Sequence, residues 1–321
     1  MELYQPFKYL DFKNSRCFLC GKELDFEIDF ISIFPTWFMK EFGLFGKPFK
    51  LLNESHKNYE DLLIPCCKAC QINYLNPLED KVKLAFQGGY ENMKALEAWK
   101  LFLWVSKIIY GIIFLEIQIA LEDYSKEESI KDEIKEPLGI SPSLLTKFSN
   151  VHLFLQSLRL DLDLEDFTPF SCWIIPLSPT DIQNPFEYRD DMSTLIFSIT
   201  TANFGFILCL QDNEMNLNYH QAFFQNWVSI PLTFRQFQEF RAKVFYSAYL
   251  FNSVPSYMIL PPVIHKKEFT IIANPLLSGS GALFKPWDNK TYAQVLEAFW
   301  KPWGTSKLEI LKDEDHPLSV F

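Results

Sequence analysis

The sequence predicts an α+β protein on three observations: two close cysteine pairs within the first 70 residues, a long apolar helical run after residue 95, and a C-terminal half divided into short apolar runs. The chain has 321 residues, 48% of them hydrophobic, with 32 phenylalanines against 11 glycines. That is enough to bury a sizeable core in about two domains. The expected organisation is a cysteine-bearing module over 1–82, a helical connecting region over 83–165 and an α+β domain over 166–321. The net charge of −10 excludes a broad nucleic-acid-binding surface, because neutralising phosphates takes clustered Lys and Arg.

The first residues, MELYQPFKYLDFKNSR, have no cationic start followed by an apolar stretch, so the chain is expected in the cytoplasm. Seven cysteines stand at 17, 20, 66, 67, 70, 172 and 209. An odd count that includes two CxxC pairs points to metal binding rather than to a disulfide framework. "RCFLCGKEL" supplies Cys17 and Cys20, and "IPCCKACQINYLNPLED" supplies Cys67 and Cys70. Two chelating thiolate pairs give Zn²⁺ a closed tetrahedral shell and couple metal binding to folding. Only Cys67 has the CxxC spacing with Cys70, so Cys66 reads as a small buried hydrophobe. The 46 residues between Cys20 and Cys67 leave room for an insert.

With "CFLCGKEL", "ISIFPTW", "DLLIPCCKACQ" and a trailing "NPLED" in this order, residues 15–82 resemble the zinc-bearing branch of the HNH (ββα-metal, treble-clef) endonucleases. The resemblance implies a treble-clef zinc module with Cys17, Cys20, Cys67 and Cys70 as ligands of a structural Zn²⁺. It also implies a separate catalytic cation served by a histidine base. Those catalytic positions fall on Ser32 for the general base, Ile31 for the acidic residue before it, Leu62 for the asparagine and Gln71 after the last cysteine. Ser32 has no basic group near neutral pH and Leu62 cannot touch a metal. The chemistry is therefore expected to be lost, while Phe34, Pro35, Trp37, Asn76, Pro77, Leu78 and Glu79 keep the motif's packing.

Asp25, Glu27 and Asp29 alternate and would share one strand face, with His56 in the insert; these are the residues from which a rebuilt nuclease site could be drawn. Residues 1–80 hold nine Lys plus Arg against twelve Asp plus Glu, a net of −3. A module that grips DNA should lean the other way.

Beyond residue 95, Leu96, Trp99, Phe102, Val105, Ile109 and Ile112 recur at helical intervals, and the run Leu101 to Leu121 is long enough to span a bilayer. Lys107, Glu116 and Gln118 interrupt it, which favours a buried core helix. The acidic stretch 122–137 reads as a solvated helix end or a hinge. Ser141 and Pro142 open another helix, whose His152, Gln156 and Arg159 form one polar row, read as a wet face or as a site. Five runs read as strands: "SCWIIPL", "TLIFSIT", "FGFILCLQD", "SYMILPP" and "FTIIANP". Thr233 with Gln236, and Thr291 with Gln294, have capping-box spacing before amphipathic helices. "YRDD", with Asp190 and Asp191, Asp212, and the acidic run at 161–166 read as turns.

The expected architecture is thus an N-terminal treble-clef zinc module, a long central helix and a mainly antiparallel C-terminal sheet with covering helices. The expected function is that of a catalytically degenerate HNH-like protein acting by binding. Its partner is expected to be a protein, with nucleic acid held only through a local patch and no membrane, within a nucleic-acid-processing or bacterial defence assembly. The alternative is an active metal-dependent nuclease.

Overall fold

The computed structural model describes residues 2–24, 29–127, 140–164, 167–179, 186–227, 230–253, 255–263, 268–274, 282–313 and 315–321. The chain is mixed α and β, with its cysteine cluster near the N-terminus, one long helix and antiparallel sheet in the C-terminal half. It forms two units. One comprises Met1–Gln87, Leu96–Glu165 and Ser256–Ala273; the other comprises Gly88–Ala95, Asp166–Pro255 and Asn274–Phe321.

In the first unit the strand Phe30–Ser32 pairs antiparallel with Leu63–Pro65, setting Phe30 opposite Pro65 and Ser32 opposite Leu63. Side chains alternate across a strand, so Ile31 and Ile64 turn into the core while Phe30 and Leu63 stay exposed. The insert is a second hairpin, Pro48–Lys50 against His56–Asn58. Phe34 packs against Tyr59 and Phe49, with ring centroids 4.8 and 5.8 Å away, and Trp37 packs on Phe86 at 5.5 Å. Phe34 thus packs on the insert and Trp37 on the helix Asn76–Gln87.

The helix Ala98–Glu127 runs through this core. Its apolar stretch is long enough to cross a membrane, but 89% of that window is buried inside the protein. Each polar interruption has a defined partner. Lys107 Nζ donates to the carbonyls of Ser32 (2.7 Å) and Ile33 (2.9 Å) and to Glu79 Oε1 (2.9 Å). Glu116 Oε1 accepts from the Leu52 amide at 2.7 Å, while burial raises its carboxyl above the ordinary value. Gln118 Nε2 donates to the Phe12 carbonyl at 2.7 Å. These residues are polar because the backbone around the helix needs partners. Gly111, one turn beyond Lys107, lets Ile33 lie against the helix, since a Cβ there would stand 2.8 Å from Ile33 Cγ1.

A small sheet completes this unit: Tyr257–Leu260 pairs antiparallel with Phe269–Ala273, which pairs parallel with Leu162–Leu164. Leu162–Leu164 lies in the acidic run read as a turn, and three residues are too few for a clear period. The helix Pro142–Leu155 begins as predicted, with Ser141 accepting from the Leu144 amide and Pro142 at the first position. Most of the acidic stretch 122–137 lies outside the described residues.

The second unit carries a four-stranded antiparallel sheet in the order Ser171–Pro176, Phe204–Cys209, Ile196–Thr200, Glu187–Asp191. Three of these were legible as apolar runs. The fourth holds Asp190 and Asp191 and is a strand, not the expected turn; its residues are all half-buried, so no apolar alternation marks it. Phe237, Phe240, Val244 and Ala248 of the helix Phe234–Leu250 pack on the sheet as one stripe, and Thr233 and Gln236 form the predicted capping box. The other predicted cap is corrected. Asp288, not Thr291, caps the helix Asn289–Phe299 and accepts from Thr291 N at 2.7 Å, so Thr291 lies inside the first turn.

Gly111→Ala sets two effects against each other. Ala is favoured over Gly in a helix interior by about 1 kcal/mol, whereas forcing a methyl into a filled core costs about 1–3 kcal/mol. Crowding should prevail. The variant is expected to melt below the parent in a thermal scan, where an exposed helical glycine would melt higher.

Candidate metal centre

The first knuckle is a tight turn closed by hydrogen bonds from Cys17 N to the Lys22 carbonyl and from Gly21 N to the Cys17 carbonyl, both 2.9 Å. Gly21 has φ +72°, the left-handed region where a side chain is strained, and a Cβ would lie 2.4 Å from the Tyr4 ring. Phe18 N donates to the Pro65 carbonyl at 2.9 Å, tying this knuckle to the strand that leads into the second. There Cys67 caps the short helix Lys68–Cys70, and its Sγ accepts from Cys70 N at 3.5 Å.

The four sulfurs of Cys17, Cys20, Cys67 and Cys70 lie within 4.8 Å of one another, and Cys20 and Cys67 are 3.8 Å apart. A metal–sulfur bond of about 2.3 Å makes each edge of a tetrahedral shell about 3.8 Å. The group can therefore hold a metal ion with small adjustments. Cys66 is fully buried outside this set, its Sγ directed at the Cys67 carbonyl at 3.6 Å. Hydrogen bonds, first from Cys20 and then from Cys66 and Cys70, hold the Cys17 thiol far below its ordinary value. The contact with Cys17 pushes Cys20 up to about 11 and raises Cys66 and Cys70 well beyond the usual thiol range. A divalent ion favours further deprotonation.

The polar row of the helix Pro142–Leu155 and the turn after it is not a wet face. His152 and Gln156 are buried, and both reach the first knuckle. His152 Nε2 lies 3.0 Å from the Phe18 carbonyl, and Gln156 Nε2 donates to the Leu19 carbonyl at 2.8 Å. Arg159 in turn donates to Gln156 Oε1 at 2.7 Å and orients the amide. Burial lowers the His152 imidazole to about 4, so it is neutral and Nε2 carries the hydrogen that the carbonyl accepts. The two carbonyls between Cys17 and Cys20 are thus held from behind. Periodicity marked the row, but it could not show what covers it.

The positions matched to the nuclease motif are placed as follows. Leu62 is fully buried and Ile31 nearly so. Asp29 makes an ion pair with Lys68 at 3.8 Å, and His56 is exposed on the insert hairpin. Asp25 and Glu27 lie outside the described residues. Ser32 and Gln71, with Thr36, Asn76 and Glu79, line a cavity of about 240 Å³. Behind it, Lys107 places its ammonium on the Ser32 carbonyl, a contact no local pattern signals. Gln71–Leu75 forms a π-turn between the second knuckle and the helix Asn76–Gln87, and it aims Asn76 and Glu79 at the cavity.

The second unit holds another cluster of chemistry-bearing groups. Asp212 Oδ2 accepts from Ser171 Oγ (2.6 Å) and Asn216 Nδ2 (2.9 Å), Ser247 Oγ donates to Asn216 Oδ1 (2.6 Å), and His220 Nε2 meets Ser247 Oγ at 2.8 Å. Because Ser247 gives its hydrogen to Asn216, His220 donates here and is not a base poised to activate the hydroxyl. His220, at 5% exposure, is the most exposed member, so the chain of bonds braces the sheet against its helices.

Elemental analysis should find one metal ion per chain in the parent and in Cys66→Ser, and well under half that in Cys20→Ser and Cys67→Ser. A second test concerns pH. Burial pushes the Asp212 carboxyl up to about 6 from 3.8, so its stabilisation is present at low pH and lost as pH rises through 6. Asp212→Asn should gain about 2 kcal/mol relative to the parent between pH 4 and pH 7, as read by denaturant unfolding at each pH. No protein-family model, curated protein or solved structure matches this chain.

Proposed function

We propose that the chain is a zinc-stabilised binding module: an HNH-like treble clef whose hydrolytic site has been replaced and which acts by docking a protein partner. The observation that carries this reading is Lys107. Its ammonium lies 2.7 Å from the carbonyl of Ser32, the residue at the general-base position, and is only 1% exposed. A catalytic cation beside it would face a buried like charge, and Ser32 supplies no base to activate water.

Zn²⁺ is the ion such a set of thiols suits. It is borderline-soft, takes four thiolates at tetrahedral geometry and in that shell keeps no open position for a substrate. Cys17, Cys20, Cys67 and Cys70 would hold it and stabilise the module. None of the seven cysteines is in a disulfide, which fits a reducing compartment such as the cytoplasm. The −3 charge of residues 1–80 favours a protein partner over nucleic acid. The broader role we assign is that of a subunit or adaptor in a nucleic-acid-processing or defence assembly.

The test uses the zinc-loaded full chain and supercoiled plasmid with Mg²⁺ or Mn²⁺. No cleavage above the metal-only control is expected, and Lys107→Met should not create any. Cleavage that disappears in Asp29→Asn or His56→Ala would overturn the reading and establish a rebuilt nuclease site.

A further inference from the structure

We infer that the cavity between the short helix Pro6–Tyr9, the helix Pro142–Leu155 and the strand Tyr257–Leu260 binds a neutral aromatic molecule of the phenol kind, whose O–H or N–H donates to His152 Nδ1. The cavity measures about 400 Å³, within the 300–1,000 Å³ typical of small-molecule sites. It shares no lining residue with the cavity beside Ser32, so its occupant does not depend on how the chain treats nucleic acid.

His152 is the residue that points to a ligand. It lines the cavity although it is only 2% exposed. Its Nε2 lies 3.0 Å from the Phe18 carbonyl, which can only accept, so that nitrogen carries the hydrogen and Nδ1 keeps a bare lone pair. Nδ1 has no hydrogen-bond partner among the described residues. Nor is it sealed in. The hydroxyl of Tyr110, whose ring lies 4.8 Å from the imidazole, is both partnerless and closed off, whereas Nδ1 keeps an opening, and the space that His152 borders is this cavity. Leaving such an acceptor without a donor when the cavity fills costs about 1–3 kcal/mol, which selects an occupant that brings the hydrogen.

The rest of the lining decides charge and shape. Among the described residues no Asp or Glu lines the cavity, so a cation finds no counter-charge there. An anion would set its lone pairs against that of Nδ1. The one charged residue of the described lining, Lys8, is exposed and already has a partner, and the remaining polar side chains are neutral. A neutral molecule meets neither penalty. Leu145, Leu153 and Ile259 supply apolar wall, and Tyr4, Phe7 and Tyr257 supply rings, which suits a flat aromatic body.

The experiment titrates the ¹⁵N-labelled, zinc-loaded full chain with p-cresol, with p-methylanisole, p-toluate and p-methylbenzylammonium as comparisons of like shape. Saturable shifts at Tyr4, Ser149, His152 and Tyr257 are expected with p-cresol, binding at least about tenfold weaker with the methyl ether, which lacks the hydrogen, and none with either ion. Acetyl-Gly-Tyr-Gly-amide carries the same phenol on a peptide and should bind more weakly than p-cresol; tighter binding would make a partner's tyrosine the occupant and overturn the small-molecule assignment. His152→Phe should erase the preference for the phenol over its ether, but it also removes a bond to the first knuckle. Leu145→Trp leaves that bond intact, fills the cavity from its half-buried wall, and should abolish p-cresol binding without changing the melting temperature. Equal binding of phenol and ether, tighter binding of either ion, unchanged p-cresol binding in Leu145→Trp, or no saturable shift at all would overturn the inference.

Discussion

A charge inside an apolar helix has to be neutralised where it lies, and in this protein that requirement organises the N-terminal unit. Lys107 joins three segments that are remote in sequence: the core helix, the turn that follows the strand Phe30–Ser32, and the helix that follows the second knuckle. Removing one partner from a buried pair costs about 3–5 kcal/mol, because the other charge is left in a low-dielectric interior. The helix therefore cannot slide or rotate against the hairpin. Gly111, placed to admit Ile33, works only in that same register.

The cysteine cluster depends on the same arrangement. Two chelating pairs 46 residues apart meet only if the intervening chain returns to its start, which the pairing of Phe30–Ser32 with Leu63–Pro65 achieves. The first knuckle is then held on two sides: Pro65 takes the amide of Phe18, and His152 and Gln156 take the carbonyls of Phe18 and Leu19. With both partners of each bond buried, the sulfurs are organised before any ion arrives. Less chain entropy remains to be lost when one binds.

Much of this was legible in the sequence. The ligand pairs show because CxxC is a local spacing, and five strands show because apolar runs between breakers are local too. Hidden features depend on remote partners. Lys107 reads as an interruption of an apolar run, and the carbonyl it serves lies 75 residues away. His152, Gln156 and Arg159 share a helical face by period alone, yet period is silent on whether water or protein covers that face. The strand Glu187–Asp191 carries acids where a turn would also carry them, and only its pairing with Ile196–Thr200 settles the matter. Thr291 has the spacing of a cap, but Asp288 stands three residues earlier and its carboxylate takes the amide first.

The π-turn at Gln71–Leu75 makes this stretch intolerant of indels in one direction. It holds one residue more than an α-helix of the same rise, and each residue advances an α-helix by about 100°. Deleting any one of the five would restore regular winding and swing the following helix by roughly that angle. Leu78 and Val82 would leave the core, while Asn76 and Glu79 would turn away from Ser32. A change of side chain at the exposed Ile72 or Asn73 should therefore cost far less than a change in the number of residues.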